Sequence, residues 1–228
     1  MVRMLIEQGE DARDESNILA STAFDLRNKE MIECLHAHGV DFNVKYQHFE
    51  AGNTVLYEGG HPVLYEALER CDDEPTLEIE IIKTLVSAGA DVNEASGGMS
   101  PLVFALIRLR SNPILDKVCR LLVEKGANID AQDDKGQTAL HQVLHLGDVG
   151  DEYVSAKCLI ELGANVSIVD NDGRIPLHYA VEWGLEATVN LLISSQLNLA
   201  DKKGKTPLQL ARDNDNDNIL TKFARICE

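Results

Sequence analysis

One short phrase recurs along this chain: glycine, alanine, then Asp or Asn, then an apolar residue. It stands at Gly89-Ala90-Asp91-Val92-Asn93, Gly126-Ala127-Asn128-Ile129-Asp130 and Gly163-Ala164-Asn165-Val166. Weaker copies occur at Gly9-Glu10-Asp11 and Gly39-Val40-Asp41-Phe42-Asn43, and one without glycine at Gln196-Leu197-Asn198. Between the copies come Ser100-Pro101-Leu102, Thr138-Ala139-Leu140-His141, Ile175-Pro176-Leu177-His178 and Thr206-Pro207-Leu208. Self-similarity constrains a fold more than composition does. A unit this short cannot bury its apolar face alone and must stack on a copy of itself.

Each unit reads as turn, helix, short loop, helix. Pro176 suits the first turn of a helix, where its missing N–H costs nothing. Leu177, Ala180 and Val181 then form an apolar stripe, and Gly184 stops the helix. A second helix follows with Ala187, Val189, Leu191, Leu192 and Ile193 at helical spacing. Gly126 and Gly163 fall just beyond second helices, where a left-handed residue is wanted. Asp133-Asp134-Lys135-Gly136 and Asp170-Asn171-Asp172-Gly173 are turn sequences for a protruding hairpin.

The segments at 100–102, 138–141, 175–178 and 206–208, similar to Thr-Pro-Leu-His, and a spacing in the thirties give the chain its resemblance to the ankyrin-repeat family, over essentially its whole length. The fold this implies is all-α, a solenoid of about six stacked helix-turn-helix units with protruding hairpins. The unit bounds are about 1–15 (partial), 16–43, 44–93, 94–130, 131–167, 168–200 and a capping unit at 201–228, in a single array. Spacing is irregular: 30 residues from Gly9 to Gly39, 50 to Gly89, 37 to Gly126, 37 to Gly163 and 33 to Gln196. Arg70 to Pro75, Arg110 to Pro113 and Gly147 to Asp151 lengthen the loop between first and second helices. Val44 to Gly60 is read as one long hairpin insertion carrying Tyr46, His48, Phe49 and Tyr57, whose aromatics either pack back on a neighbour or meet a partner. Ile219, Leu220, Phe223 and Ile226 make the single stripe that a capping helix needs.

Composition narrows the function. There are 38 Asp+Glu against 21 Lys+Arg, a formal net charge of −17. That field repels phosphate backbones, so nucleic-acid binding is not expected, and a protein partner with a basic surface is favoured. No apolar run could span a bilayer. Met1 to Glu7 has no secretory character, and the five cysteines, with no C-x-x-C, read as small buried hydrophobes in a reducing cytosol. The expected location is therefore cytoplasmic, or nuclear, without a classical secretion signal.

Chemistry finds little purchase. His141 and His145 have a zinc-like spacing of four on a helix, but no carboxylate stands between them. The resemblance implies a structural hydrogen bond for His141, and likewise for His178. Cys119 or Cys158 as a nucleophile would need a paired histidine in a cleft. Asp213 to Asn218 lacks the glycine and glutamate of a calcium loop. No phosphate-binding glycine motif occurs. No catalytic residue, metal or cofactor is expected. Asn93 and Asn43 are similar in context to asparagines that an intracellular dioxygenase hydroxylates in animal cells.

The resemblance implies that a partner lies along a concave face of hairpin tips and first-helix ends. Here that face would comprise Gly97, Met99, Ile107 and Arg108, then Asp134, Lys135, Gln137, His145 and Leu146. Asn171, Asp172, Arg174, Tyr179, Glu182 and Trp183 follow, then Lys202, Lys203, Lys205 and Asp213. Trp183, the only tryptophan, is the foremost candidate with Tyr179, since such residues dominate binding energies. Packing between repeats is its other reading. The expected function is a non-enzymatic adaptor binding a protein. The alternative is a regulatory, inhibitory or substrate-targeting part of a larger enzyme, suggested by Met1 starting directly in a second helix.

Overall fold

Pro101, Pro176 and Pro207 each open a helix, where the rigid ring matches helical φ and no N–H is missed. The computed structural model describes Ala23 and residues 28–43, 48–50, 53–55, 62–72, 75–145, 152–193 and 197–225. Eleven helices lie in those residues, the stacked all-α repeat-solenoid fold. The expected partial repeat at 1–15, Tyr46, Tyr57, Leu146, the loop 147–151 and Ile226 lie outside them. Contacts divide the chain into two units: Met1–Leu109 with Glu124–Ala127, and Arg110–Val123 with Asn128–Glu228.

In the first unit α1 (Lys29–Ala37) is capped by Asn28, whose Oδ1 accepts the Met31 N–H at 2.9 Å. Two short antiparallel strands follow, β1 (His48–Glu50) and β2 (Asn53–Val55), with His48 opposite Val55. They fall within the stretch expected to form a long hairpin, and the rest of 44–60 lies outside the described residues. Next come α2 (Val63–Glu69), α3 (Pro75–Ser87) and α4 (Pro101–Arg108). α2 buries Val63, Leu64, Ala67 and Leu68 and packs on α3 and α4, while α1 lays Ile32 and Leu35 against α3.

Asparagine side chains stitch this unit. Asn43 Nδ2 donates to the Gly89 carbonyl and Asn93 Nδ2 to the Gly126 carbonyl, each at 3.0 Å. These are the two asparagines singled out in the sequence, and both amides tie one repeat to the turn of the next. Beneath the turn Ser96–Met99, the buried Tyr65 hydroxyl lies 2.6 Å from the Met99 carbonyl and accepts the Ser96 N–H. Burial pushes its pKa up to about 12.

The second unit contains α5 (Leu115–Glu124), α6 (Ala139–His145), α7 (Glu152–Glu161), α8 (Pro176–Glu182), α9 (Glu186–Leu192), α10 (Pro207–Asp213) and α11 (Asp217–Ala224). First helices α6, α8 and α10 pack in sequence, as do second helices α7, α9 and α11. In α9, Val189 and Leu192 are buried as the stripe requires. Ala187, expected on that stripe, is exposed, and the neighbouring Thr188 is fully buried. α11 closes the stack with Ile219 and Phe223 inward. Past the second helices, Gly89, Gly126 and Gly163 have φ of 95, 98 and 96°, the left-handed geometry their position demands.

Candidate partner-binding face

Three hairpins of the second unit share one construction. An aspartate at the base, three residues before a glycine, accepts two backbone N–H groups through one oxygen. Asp133 Oδ1 takes those of Lys135 and Gln137, Asp170 Oδ1 those of Asp172 and Arg174, and Asp201 Oδ1 those of Lys203 and Lys205, all at 2.8–2.9 Å. Successive hairpins are then zipped together. The Asn171 N–H donates to the Lys135 carbonyl and the Lys202 N–H to the Asp172 carbonyl, both at 2.9 Å. Asn171 Nδ2 adds a bond to the Asp134 carbonyl at 2.9 Å. The fingers are thus one braced surface. The repeated Asp-x-x-Gly discloses the turns in the sequence, while the bonds between successive fingers went unread.

Histidines join the hairpins to the first helices. Nδ1 of His141 accepts the Thr138 N–H at 3.2 Å, and Nδ1 of His178 accepts the Ile175 N–H at 3.1 Å. The proton is therefore on Nε2, which donates to a carbonyl of the next hairpin: Arg174 for His141 at 3.0 Å, Lys205 for His178 at 3.1 Å. Both nitrogens of each ring are occupied by protein, as the structural reading requires. Burial pushes both imidazoles below the ordinary histidine range.

Tyr179 departs from expectation. It is only 4% exposed. Its hydroxyl donates to Asp170 Oδ2 at 2.7 Å and accepts from Gln137 Nε2 at 2.9 Å. His141 and His145 stand edge-on to its ring at 5.7 Å, and the Arg174 guanidinium covers the ring at 4.2 Å. Burial, with the Asp170 bond, lifts the phenol to about 12. Tyr179 and the buried Gln137, both expected on an open face, are instead the polar filling under it. Trp183, at the end of the same helix, is 50% exposed.

The charged residues around Trp183 are matched in pairs. Arg174 Nη2 meets Glu182 Oε2 at 2.5 Å, and Lys205 Nζ meets Asp213 Oδ2 at 2.6 Å. Each pair joins a hairpin base to the end of its own first helix, eight residues on. This spacing recurs in the sequence and also went unread. Asp134, Lys135, Asn171, Asp172, Lys202, Lys203 and His145 are exposed on the same unit. Met99 and Arg108 belong to the first unit, where Arg108 lies 3.5 Å from Glu69.

Among the described residues no group of three or more His, Cys, Asp or Glu is arranged to hold a metal, and no helix is long and apolar enough to cross a membrane. The zipped hairpins, proline-led first helices and histidine bridges define a helical repeat protein whose hairpins project from paired helices. A family model described as ankyrin repeats (3 copies) matches residues 109–201 and 154–225, together just over half of the chain. The chain belongs to the ankyrin-repeat family. Such repeats are generally protein–protein interaction modules.

Proposed function

We propose that this chain is a non-enzymatic adaptor of the cell interior. It would hold a protein partner on the hairpin and first-helix face of its second unit, with Trp183 as the anchor. The observation that carries this is the half-exposed Trp183 ring at the end of α8, beside charged side chains already paired with one another. A large aromatic left half in water on a rigid support supplies apolar contact without an ordering cost on binding. Around it, Asp134, Lys135, Asn171, Asp172, Lys202 and Lys203 offer polar contacts at the fingertips.

The test is Trp183→Ala, with affinity and stability measured side by side. Loss of an anchor should cost about 2 kcal/mol or more of binding to the protein that co-purifies with the wild-type chain. Stability should fall by no more than about 2 kcal/mol, less than the ~3–5 kcal/mol of a fully buried tryptophan. Unchanged affinity in the folded variant would reject Trp183 as the anchor.

A further inference from the structure

A shift of 31 residues, Pro176 to Pro207, carries α8 and α9 onto α10 and α11. The turn inside each pair is the same: the Leu185 N–H bonds the Ala180 carbonyl in one, and the Asn216 N–H bonds the Ala211 carbonyl in the other. Leu208 and Leu220 therefore stand where Leu177 and Val189 stand a repeat earlier. Those two positions are covered throughout the second unit. Leu140 and Leu177 are 1 and 2% exposed, and Cys119, Ala156 and Val189 are each 0%. Leu208 and Leu220 are only half-buried. A repeat that merely ends a stack needs a polar outer face, and this one keeps two leucines there. The same register shows the polar chemistry of a cover. Where α11 lies against α9, Asn218 Nδ2 donates to Glu186 Oε1 at 2.6 Å and Lys222 Nζ to the Glu186 carbonyl at 2.8 Å. One repeat on, the place of Glu186 is taken by Asp217, which is exposed, as is Asp215 beside it.

We infer that the outer face of α10 and α11 is a second docking surface, and that its occupant is an amphipathic helix of another protein, apolar along one stripe and edged with lysine. The stripe covers Leu208 and Leu220. A lysine on its edge meets Asp217 as Lys222 meets the Glu186 carboxylate, 3.7 Å away. Charge selects this occupant over a second copy of the chain. A copy brings 38 Asp+Glu against 21 Lys+Arg and is repelled by the first, whereas a lysine-edged helix is attracted. The surface is independent of the Trp183 anchor, and neither reading needs the other.

The probe is a fluorescent helical peptide of about 18 residues, with leucines on one stripe and lysines along its edges, beside a twin carrying glutamate for every lysine. Anisotropy titration of the full chain should show the lysine peptide bound and the twin weaker by about tenfold or more. Leu220→Gln should abolish binding. Asp217→Lys, at an exposed position, should erase the preference for lysine and decides the matter where Leu220→Gln folds poorly. Glu124→Lys makes the same charge change on α5 and should leave the preference in place, as should Trp183→Ala. Failure of both peptides to bind would overturn the proposal, and so would equal binding of the two. An equal effect of Glu124→Lys would overturn it too, showing that only net charge was read. Loss of binding in Trp183→Ala would place the peptide on the other face. A dimer of the chain that Leu220→Gln dissolves would make a second copy the cover, and binding gained only on removal of residues 226–228 would make that segment the cover. Either result rejects the helix of another protein.

Discussion

Tyr179→Phe keeps the buried ring of Tyr179 but removes the hydroxyl that joins Gln137 to Asp170. Two buried polar groups lose a partner, so the unfolding midpoint in urea should fall by the equivalent of about 1–3 kcal/mol. Affinity for the partner should stay unchanged, because the hydroxyl faces the hairpins and not solvent. An unmoved midpoint would mean that the network contributes nothing. The contrast with Trp183 shows what a sequence discloses at this scale. Trp183 lies off the Leu177, Ala180 and Val181 stripe, so its exposure was legible from periodicity. Tyr179 lies off that stripe too, and periodicity alone therefore left it open to solvent. Its burial depends on Asp170, nine residues back, and on Gln137 of the preceding repeat, which periodicity within one helix cannot reveal.

At the scale of elements, hairpin packing discriminates between glycines that look alike. Gly136 and Gly204 occupy equivalent turns with φ of 73 and 77°. A Cβ at Gly204 would meet nothing within 4 Å, so Gly204→Ala should cost only about 1–2 kcal/mol of left-handed strain. At Gly136 a Cβ would stand 2.8 Å from the backbone nitrogen of Asn171, in the next finger. Gly136→Ala should therefore lower the unfolding midpoint clearly further, and equal losses would argue against zipped hairpins. The histidine bridges give these elements a pH dependence. His141 and His178 must be neutral for Nδ1 to accept, and their folded pKa values lie below the unfolded value near 6.5. Unfolding takes up protons there, so the stabilisation is whole above the unfolded value and is lost as pH falls from it through the folded values. Thermal melts should show the midpoint dropping as pH is lowered through that window, and a flat profile would contradict the bridges. The helices were legible because proline, glycine and apolar stripe agree in each unit. The bonds between repeats were not, since Asn93 to Gly126 and His141 to Arg174 join residues 33 apart.

Over the whole molecule, charge and anchor contribute to different rate constants. The Arg174–Glu182 and Lys205–Asp213 pairs balance the charges beside Trp183, so the face itself has little local excess. The formal net charge of −17 belongs to the chain at large, and a field of that kind steers encounter with a basic partner more than it tightens the final contact. Screening acts over roughly 8 Å at physiological ionic strength and shortens as salt is added. Raising salt from about 50 mM to about 500 mM should thus slow association strongly and leave dissociation nearly constant. Trp183→Ala should do the reverse, speeding dissociation while leaving the salt slope of association in place. Stopped-flow mixing with the co-purifying protein measures both slopes on the same pair. An association rate independent of salt would remove the basic partner from the proposal while leaving the tryptophan anchor standing. A salt slope of association altered by Trp183→Ala would show instead that the face and the long-range field are not separable.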